Sequence, residues 1–175
     1  VRFHKFDMVT RARRLILDLN SESGEFSKEN QDRFEYFISK LKENGIYLVM
    51  DLQTIRVIGA GECPQLAGQR YNYYGMFVPE LIEAQKRFIT RLLAHRNPYT
   101  GLTLAEDPVL ALIIFHNENS MLYQPNRNRI TSPYALKILK DRFNAYLAQK
   151  YGNRNALKKA WKTLNDAEDP ARGSV

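Results

Sequence analysis

Two short runs of this sequence are apolar at odd and even positions alike, and this feature constrains the fold most strongly. The runs are IYLVMDL, residues 46–52, and VLALIIF, residues 109–115. A strand that is covered on both faces of a parallel sheet is apolar throughout, whereas a half-exposed strand alternates. Both runs therefore predict buried strands of a parallel sheet, near 46–52 and 109–116. The alternating stretch at residues 1–6 predicts a third strand.

Helical segments separate the predicted strands. Their start and stop signals are Ser27 as an N-cap, the pair Asn44-Gly45, Pro79 in a first turn, the pair Ser132-Pro133, and Gly152. The order strand–helix–strand–helix–strand–helix predicts an α/β fold with parallel strands and right-handed crossovers. Two architectures fit, an open doubly wound sheet and part of a (β/α)₈ barrel. We expect one domain over residues 1–165 and a tail or linker over 166–175.

The composition is that of a globular chain with an excess of basic residues. The 175 residues include 26 Lys and Arg against 19 Asp and Glu, for a formal net charge of +7. This excess has two interpretations, namely an anionic partner such as nucleic acid or the solvated faces of helices, and the basic clusters at 137–142 and 156–162 favour the second. The single cysteine, Cys63, excludes an intrachain disulfide. No apolar run approaches the roughly 18 residues that a membrane span needs.

Polar side chains stand at the end of each predicted strand. They are Arg2 and His4, then Asp51 and Gln53, then residues 116–119 with the sequence His-Asn-Glu-Asn. The carboxyl ends of parallel strands meet at one edge of a sheet, where α/β proteins place their sites. The sequence therefore predicts a polar site at this edge.

Glu118 is the principal candidate for chemistry at that site. Desolvation at the end of a buried strand can raise the pKa of a carboxyl group, which suits a general acid near neutral pH. The alternative is a carboxylate that only meets solvent. On a regular strand Asn117 and Glu118 point to opposite faces, so both serve one cleft only if the strand ends or bulges there. A metal site built from His4, His116 and Glu118 lacks characteristic ligand spacing, and we expect no metal.

The stretch FHNENS after an apolar strand resembles the Asn-Glu signature at the fourth strand of clan A glycoside hydrolases. These are retaining (β/α)₈-barrel enzymes that include cellulases, mannanases and β-galactosidases. The resemblance extends over residues 1–6 and most of residues 27–162. It implies that the chain corresponds to about the second to fourth βα units of a barrel, whose full length is about 250 residues.

The resemblance also implies roles for individual residues. Glu118 is the expected acid/base, and Asn117 is expected to contact the sugar 2-hydroxyl. The other expected substrate-binding residues are Arg2, His4, Gln53, Tyr74 and His116. Tyr74 and its neighbours Tyr71 and Tyr73 offer either faces for sugar stacking or packing within a loop. Gln53 stands where relatives usually have His, and Val78 where they often have an Asp cap.

The implied activity is hydrolysis of a β-linked oligo- or polysaccharide without a cofactor. The expected partners are this substrate and the remainder of the barrel, from the same gene or a second chain, and neither nucleic acid nor a membrane. The second carboxylate of this clan comes from the seventh strand, so the isolated chain is expected to be inactive. Secretion or a periplasmic location is expected from the resemblance, although the sequence begins without a signal peptide. The alternative is a non-catalytic carbohydrate-binding or interaction relative of the same fold.

Overall fold

A computed structural model describes residues 1–4, 6, 19–20, 25–52, 56–118, 120 and 128–175 of the chain. The chain divides into two compact units, Val1–Arg129 and Ile130–Val175. This division falls earlier than the predicted boundary at residue 165. None of the described helices is both long and apolar enough to cross a membrane.

The first unit is a mixed α/β structure around a small parallel sheet. Its elements are β1 (Arg2–Phe3), β2 (Leu19–Asn20), β3 (Glu25–Phe26), α1 (Lys28–Glu43), β4 (Leu48–Asp51), α2 (Tyr71–Tyr74), α3 (Pro79–Ala94) and β5 (Leu110–Ile114). The sheet has the order β1-β4-β5, and both pairings are parallel. β2 and β3 form a separate antiparallel pair. The predicted α/β class and the parallel pairing are confirmed, although each strand is shorter than predicted.

The predicted helix signals act where they were expected. The Ser27 side chain accepts a hydrogen bond from the backbone N–H of Asn30 and caps α1. After α1, Gly45 takes φ +65°, a left-handed conformation that ends the helix at little steric cost. Pro79 opens α3, where Val78 occupies the N-cap position without a side-chain cap.

The main core lies between α1, α3 and one face of the sheet. Leu48, Met50 and Leu52 alternate along the chain from β4 and therefore share a face. They belong to one buried cluster with residues of both helices: Phe34, Ile38 and Leu41 from α1, and Phe88 and Leu92 from α3. The opposite face of β4 carries Val49 and Asp51.

The prediction that residues 109–116 form a strand buried on both faces is wrong for this structure. Leu112 is 53% exposed and Phe115 is 63% exposed. β5 stands last in the sheet order and pairs with β4 alone among the described strands. The apolar composition of this strand therefore exceeds what the described chain covers.

The second unit comprises two helices and a closing turn. They are α4 (Pro133–Tyr151), α5 (Arg154–Trp161) and a 3₁₀ turn at Pro170–Arg172. Its core contains Leu147, Leu157 and Leu164. The structure differs from the predicted tail at residues 166–175, because the buried Asn144 side chain donates to the Val175 carbonyl at 2.9 Å and accepts from its N–H at 3.0 Å.

Candidate functional site

Polar side chains from all three strand regions of the sheet meet at its carboxyl edge. Arg2 lies in β1, Asp51 ends β4, and Asn117 follows β5. Arg2 pairs with Val49, two positions before Asp51 in β4, and this alternation places Arg2 and Asp51 on one face. The predicted convergence of strand ends is therefore what the structure shows for these residues.

Asp51 is the centre of this cluster. Its side chain is fully buried and accepts hydrogen bonds from two neighbours. The Arg2 guanidinium donates through Nε to Oδ1 at 3.2 Å and through Nη2 to Oδ2 at 2.8 Å. The Nδ1 atom of His4 lies 2.5 Å from Oδ2. A buried carboxylate is costly unless it is paired and hydrogen-bonded, and these contacts meet that requirement.

Arg2 extends the cluster to the residues that follow β5. Its Nη2 atom donates to Oδ1 of Asn117 at 2.5 Å. The hydrogen bond to Asp51 raises the pKa of Arg2 above its ordinary value, and the negative charges of Asp51 and Glu118 act in the same direction. Glu118 is therefore close enough to Arg2 for their charges to interact.

The backbone at Glu118 explains how two consecutive residues serve one edge. β5 ends at Ile114, and Glu118 has φ +53°, a left-handed conformation that few residues other than glycine adopt. The alternation of a regular strand therefore no longer applies at Asn117 and Glu118. Of the two alternatives for Glu118, a desolvated carboxyl group and a carboxylate that meets solvent, the structure favours the second, since Glu118 is exposed.

The remaining predicted site residues are placed as follows. His116 is exposed beside Asn117, and Gln53 lies outside the described residues. Tyr71 and Tyr74 are buried, with 1% and 0% exposure, so of the two alternatives the structure favours packing within the loop. The Tyr74 hydroxyl donates to the Arg129 carbonyl at 3.1 Å, and Tyr74 therefore offers no face to a sugar in this structure.

Sequence reasoning placed Asp51 among the polar strand ends but assigned no role to it. A signal was available, because Asp51 is an acid within the apolar run 46–52 and has the parity opposite to that of Leu48, Met50 and Leu52. The next residue is also fixed, since Gln85 of α3 donates to the Leu52 carbonyl at 2.7 Å. The carboxyl end of β4 is thus held from both faces.

The arrangement combines a fixed cation, an amide, an imidazole and an exposed carboxylate. Such groups suit a polar, uncharged ligand that both donates and accepts hydrogen bonds. Within the described parts of the chain, no three His, Cys, Asp or Glu side chains come together in a way that could hold a metal ion. Comparison of the chain with protein-family models and with curated proteins gives no match.

Proposed function

We propose that the chain is the acid/base-bearing segment of a retaining glycoside hydrolase with a (β/α)₈ barrel. The observation that carries this proposal is the hydrogen-bonded cluster of Asp51, Arg2 and Asn117 at the carboxyl edge of a parallel sheet, with Glu118 next to Asn117 in the chain. In barrel enzymes the catalytic residues come from the carboxyl ends of several different strands.

The winding of the sheet supports a barrel segment over a doubly wound sheet. The three strands follow one another across the sheet in chain order, with α1 and α3 as the crossovers. Because such crossovers are right-handed, an order without reversal puts both helices on the same face. A doubly wound sheet instead has helices on both faces. Both helices do share one core cluster with Leu48, Met50 and Leu52.

The exposed apolar strand β5 supports the further proposal of a missing remainder. Leu112 in β5 and Phe115 directly after it are more than half exposed, and barrel closure would pair the edge of β5 that no described strand pairs and cover the face that carries Leu112. The occupant that we propose is the next βα unit of the same barrel, from the same gene or a second chain.

In the proposed reaction Glu118 gives its proton to the glycosidic oxygen as the bond from that oxygen to the anomeric carbon breaks. A carboxylate of the remainder forms the new bond to this carbon. Glu118, now ionised, then takes a proton from water, whose oxygen displaces that carboxylate and releases the sugar with retained configuration. Asn117 holds the 2-hydroxyl, and Arg2 and His4 form the floor beside it. The substrate is a β-linked oligo- or polysaccharide.

The test is hydrolysis of a panel of aryl β-glycosides by the full-length protein that carries this chain. Glu118→Gln should lower the rate with unactivated leaving groups about 10²–10⁴-fold, the contribution typical of a general acid. Glu106→Gln is the matched control, because Glu106 is an exposed glutamate bonded to Thr103 in a loop. Hydrolysis that survives Glu118→Gln would refute the assignment.

A non-catalytic carbohydrate-binding relative is the second candidate. It is favoured by one observation: apart from Glu118, the carboxylate of the described site is Asp51, which is fully buried and bonded to Arg2 and His4, so it cannot act as the nucleophile. Oligosaccharide binding by the full-length protein without release of reducing ends from any substrate would support this candidate. Measurable turnover would exclude it.

A further inference from the structure

We propose that Asp51 is a positioning residue, whose buried carboxylate fixes the orientation of the Asn117 amide through Arg2 and the tautomer of His4 directly. This inference rests on the proposed function for its catalytic consequence. The orientation of Asn117 and the tautomer of His4 involve only side chains of this chain, and both can be tested without measuring any activity.

Asp51 is more deeply buried than the two side chains that it holds. Its side chain has 0% exposure, whereas those of its partners Arg2 and His4 are 46% and 32% exposed. A buried carboxylate with partly exposed partners is weak evidence for a gain in stability, because desolvation offsets much of the attraction. The arrangement does restrain Arg2 and His4, since each side chain is hydrogen-bonded to Asp51 and also reaches the solvent.

Arg2 fixes which way the side-chain amide of Asn117 points. Its Oδ1 atom accepts from Arg2 Nη2 at 2.5 Å, and Arg2 is itself held by Asp51 through both Nε and Nη2. A guanidinium has only donors, so it can face only the oxygen of an amide. This orientation turns the Nδ2 donor of Asn117 away from Arg2, so that Asn117 can offer a donor to an acceptor atom of a ligand.

Asp51 also fixes which nitrogen of the His4 ring carries the proton. A carboxylate accepts hydrogen bonds and does not donate them, so the contact of 2.5 Å between His4 Nδ1 and Asp51 Oδ2 requires the proton to lie on Nδ1. In the neutral ring Nε2 then carries the lone pair and can only accept a hydrogen bond. Carboxylates orient metal-binding and catalytic histidines in this way.

Together these constraints define what the site presents to a ligand. Asn117 Nδ2 can donate and His4 Nε2 can accept, and the negative charge of Asp51 balances the positive charge of Arg2. Two neighbouring hydroxyl groups of a ligand fit this pattern, because one can accept from Asn117 Nδ2 and the other can donate to His4 Nε2. The positioning by Asp51 therefore deepens the proposed function by favouring a neutral sugar at this subsite over an anionic one.

The direct experiment is ¹⁵N NMR of the full chain with labelled histidine, with His4→Ala to assign the His4 signals. In the wild type the neutral His4 ring should carry its proton on Nδ1. Asp51→Asn should lower that fraction, because the amide is uncharged and replaces one carboxylate oxygen with an NH2 donor, so that its remaining oxygen is a weaker acceptor for the proton of His4 Nδ1 than a carboxylate oxygen is. His95, whose Nδ1 contacts Glu35 at 2.6 Å, is the internal control and should not change.

A second variant keeps the test decisive if Asp51→Asn does not fold. Arg2→Gln leaves Asp51 and His4 in place, so the His4 tautomer should persist, while the Asn117 side-chain amide signals in a uniformly ¹⁵N-labelled sample should shift. A His4 ring with its proton on Nε2 in the folded wild type would overturn the inference, and so would an unchanged ring in folded Asp51→Asn.

The catalytic consequence is measured in the full-length protein. Asp51→Asn should lower kcat/KM for a neutral aryl glycoside about 10–100-fold, the effect that removal of the orienting partners of metal-bound histidines has on activity. It should also shift the preference toward the corresponding uronide, since Arg2 loses its partner charge. An unchanged kcat/KM and preference would overturn the catalytic part of the inference. If the full-length wild type hydrolyses no glycoside, the proposed function is refuted, and the NMR experiment still decides whether Asp51 positions Asn117 and His4.

Discussion

Leu48 and Leu112 form a matched pair of strand leucines that tests whether β5 is built to be covered. Leu48 of β4 has 0% exposure, and Leu112 of β5 has 53%. They lie on the two neighbouring strands, and Leu112 pairs with Val49, the residue after Leu48. The perturbation is alanine at each position, made both in this chain and in the full-length protein.

The expected magnitudes follow from the burial of the two side chains. Leu48→Ala should lower the free energy of unfolding by about 2–5 kcal/mol, the range for a buried leucine. Leu112→Ala in this chain should cost about 1 kcal/mol, because roughly half of the transfer free energy of a leucine side chain is at stake. In the full-length protein the proposed next strand covers β5. The cost of Leu112→Ala should then rise to about 2–5 kcal/mol, while that of Leu48→Ala should stay the same.

The assay is urea denaturation followed by far-UV circular dichroism, with the slope of the transition compared among variants. Trp161 belongs to the second unit, so its fluorescence is not the probe of choice for a change in the first. An equally small effect of Leu112→Ala in both contexts would refute the reasoning that a further strand covers β5.

Three further predictions concern single side chains of the first unit. Tyr74→Phe should lower the free energy of unfolding by about 1 kcal/mol, because it removes the hydrogen bond to the Arg129 carbonyl; a variant as stable as the wild type would contradict this packing role. Hydrogen bonds from Thr103 lower the pKa of Glu106, so the stability they contribute is present at neutral pH and is lost as the pH falls through that lowered pKa. NMR titration of Thr103→Val should show the Glu106 pKa returning toward its ordinary value, and an unmoved midpoint would exclude this cause. Burial raises the pKa of the Cys63 thiol, so it should react with a disulfide reagent only as fast as the protein opens, and rapid reaction in native buffer would show the thiol to be accessible.

The helices were predictable from sequence because their signals are local. The Ser27 cap, the left-handed Gly45 and the first-turn Pro79 each act within a few residues of the helix end that they define. The parallel pairing was predictable for a related reason, since a helix between two apolar runs leaves few other topologies.

Burial and side-chain contacts were less predictable because they depend on residues distant in sequence. The apolar run at 109–115 indicates that a strand needs cover, but it does not say whether this chain supplies the cover. Asp51 bonds to Arg2 and His4 across nearly the whole first strand–helix unit, with sequence separations of 49 and 47. Tyr74 illustrates the reverse case, because a run of tyrosines in a loop has the same pattern whether the rings face a ligand or the core.

The most direct test of Glu118 as the acid/base uses Glu118→Ala in the full-length protein with a dinitrophenyl β-glycoside and added azide. This leaving group needs no proton, so the covalent intermediate still forms, and its hydrolysis is slow because no base activates water. Azide needs no such base and attacks the anomeric carbon in place of water. We expect azide to accelerate turnover of Glu118→Ala, but not of the wild type, and to give the β-glycosyl azide with retained configuration. No acceleration by azide, or an α-glycosyl azide as the product, would contradict a retaining mechanism in which Glu118 is the acid/base.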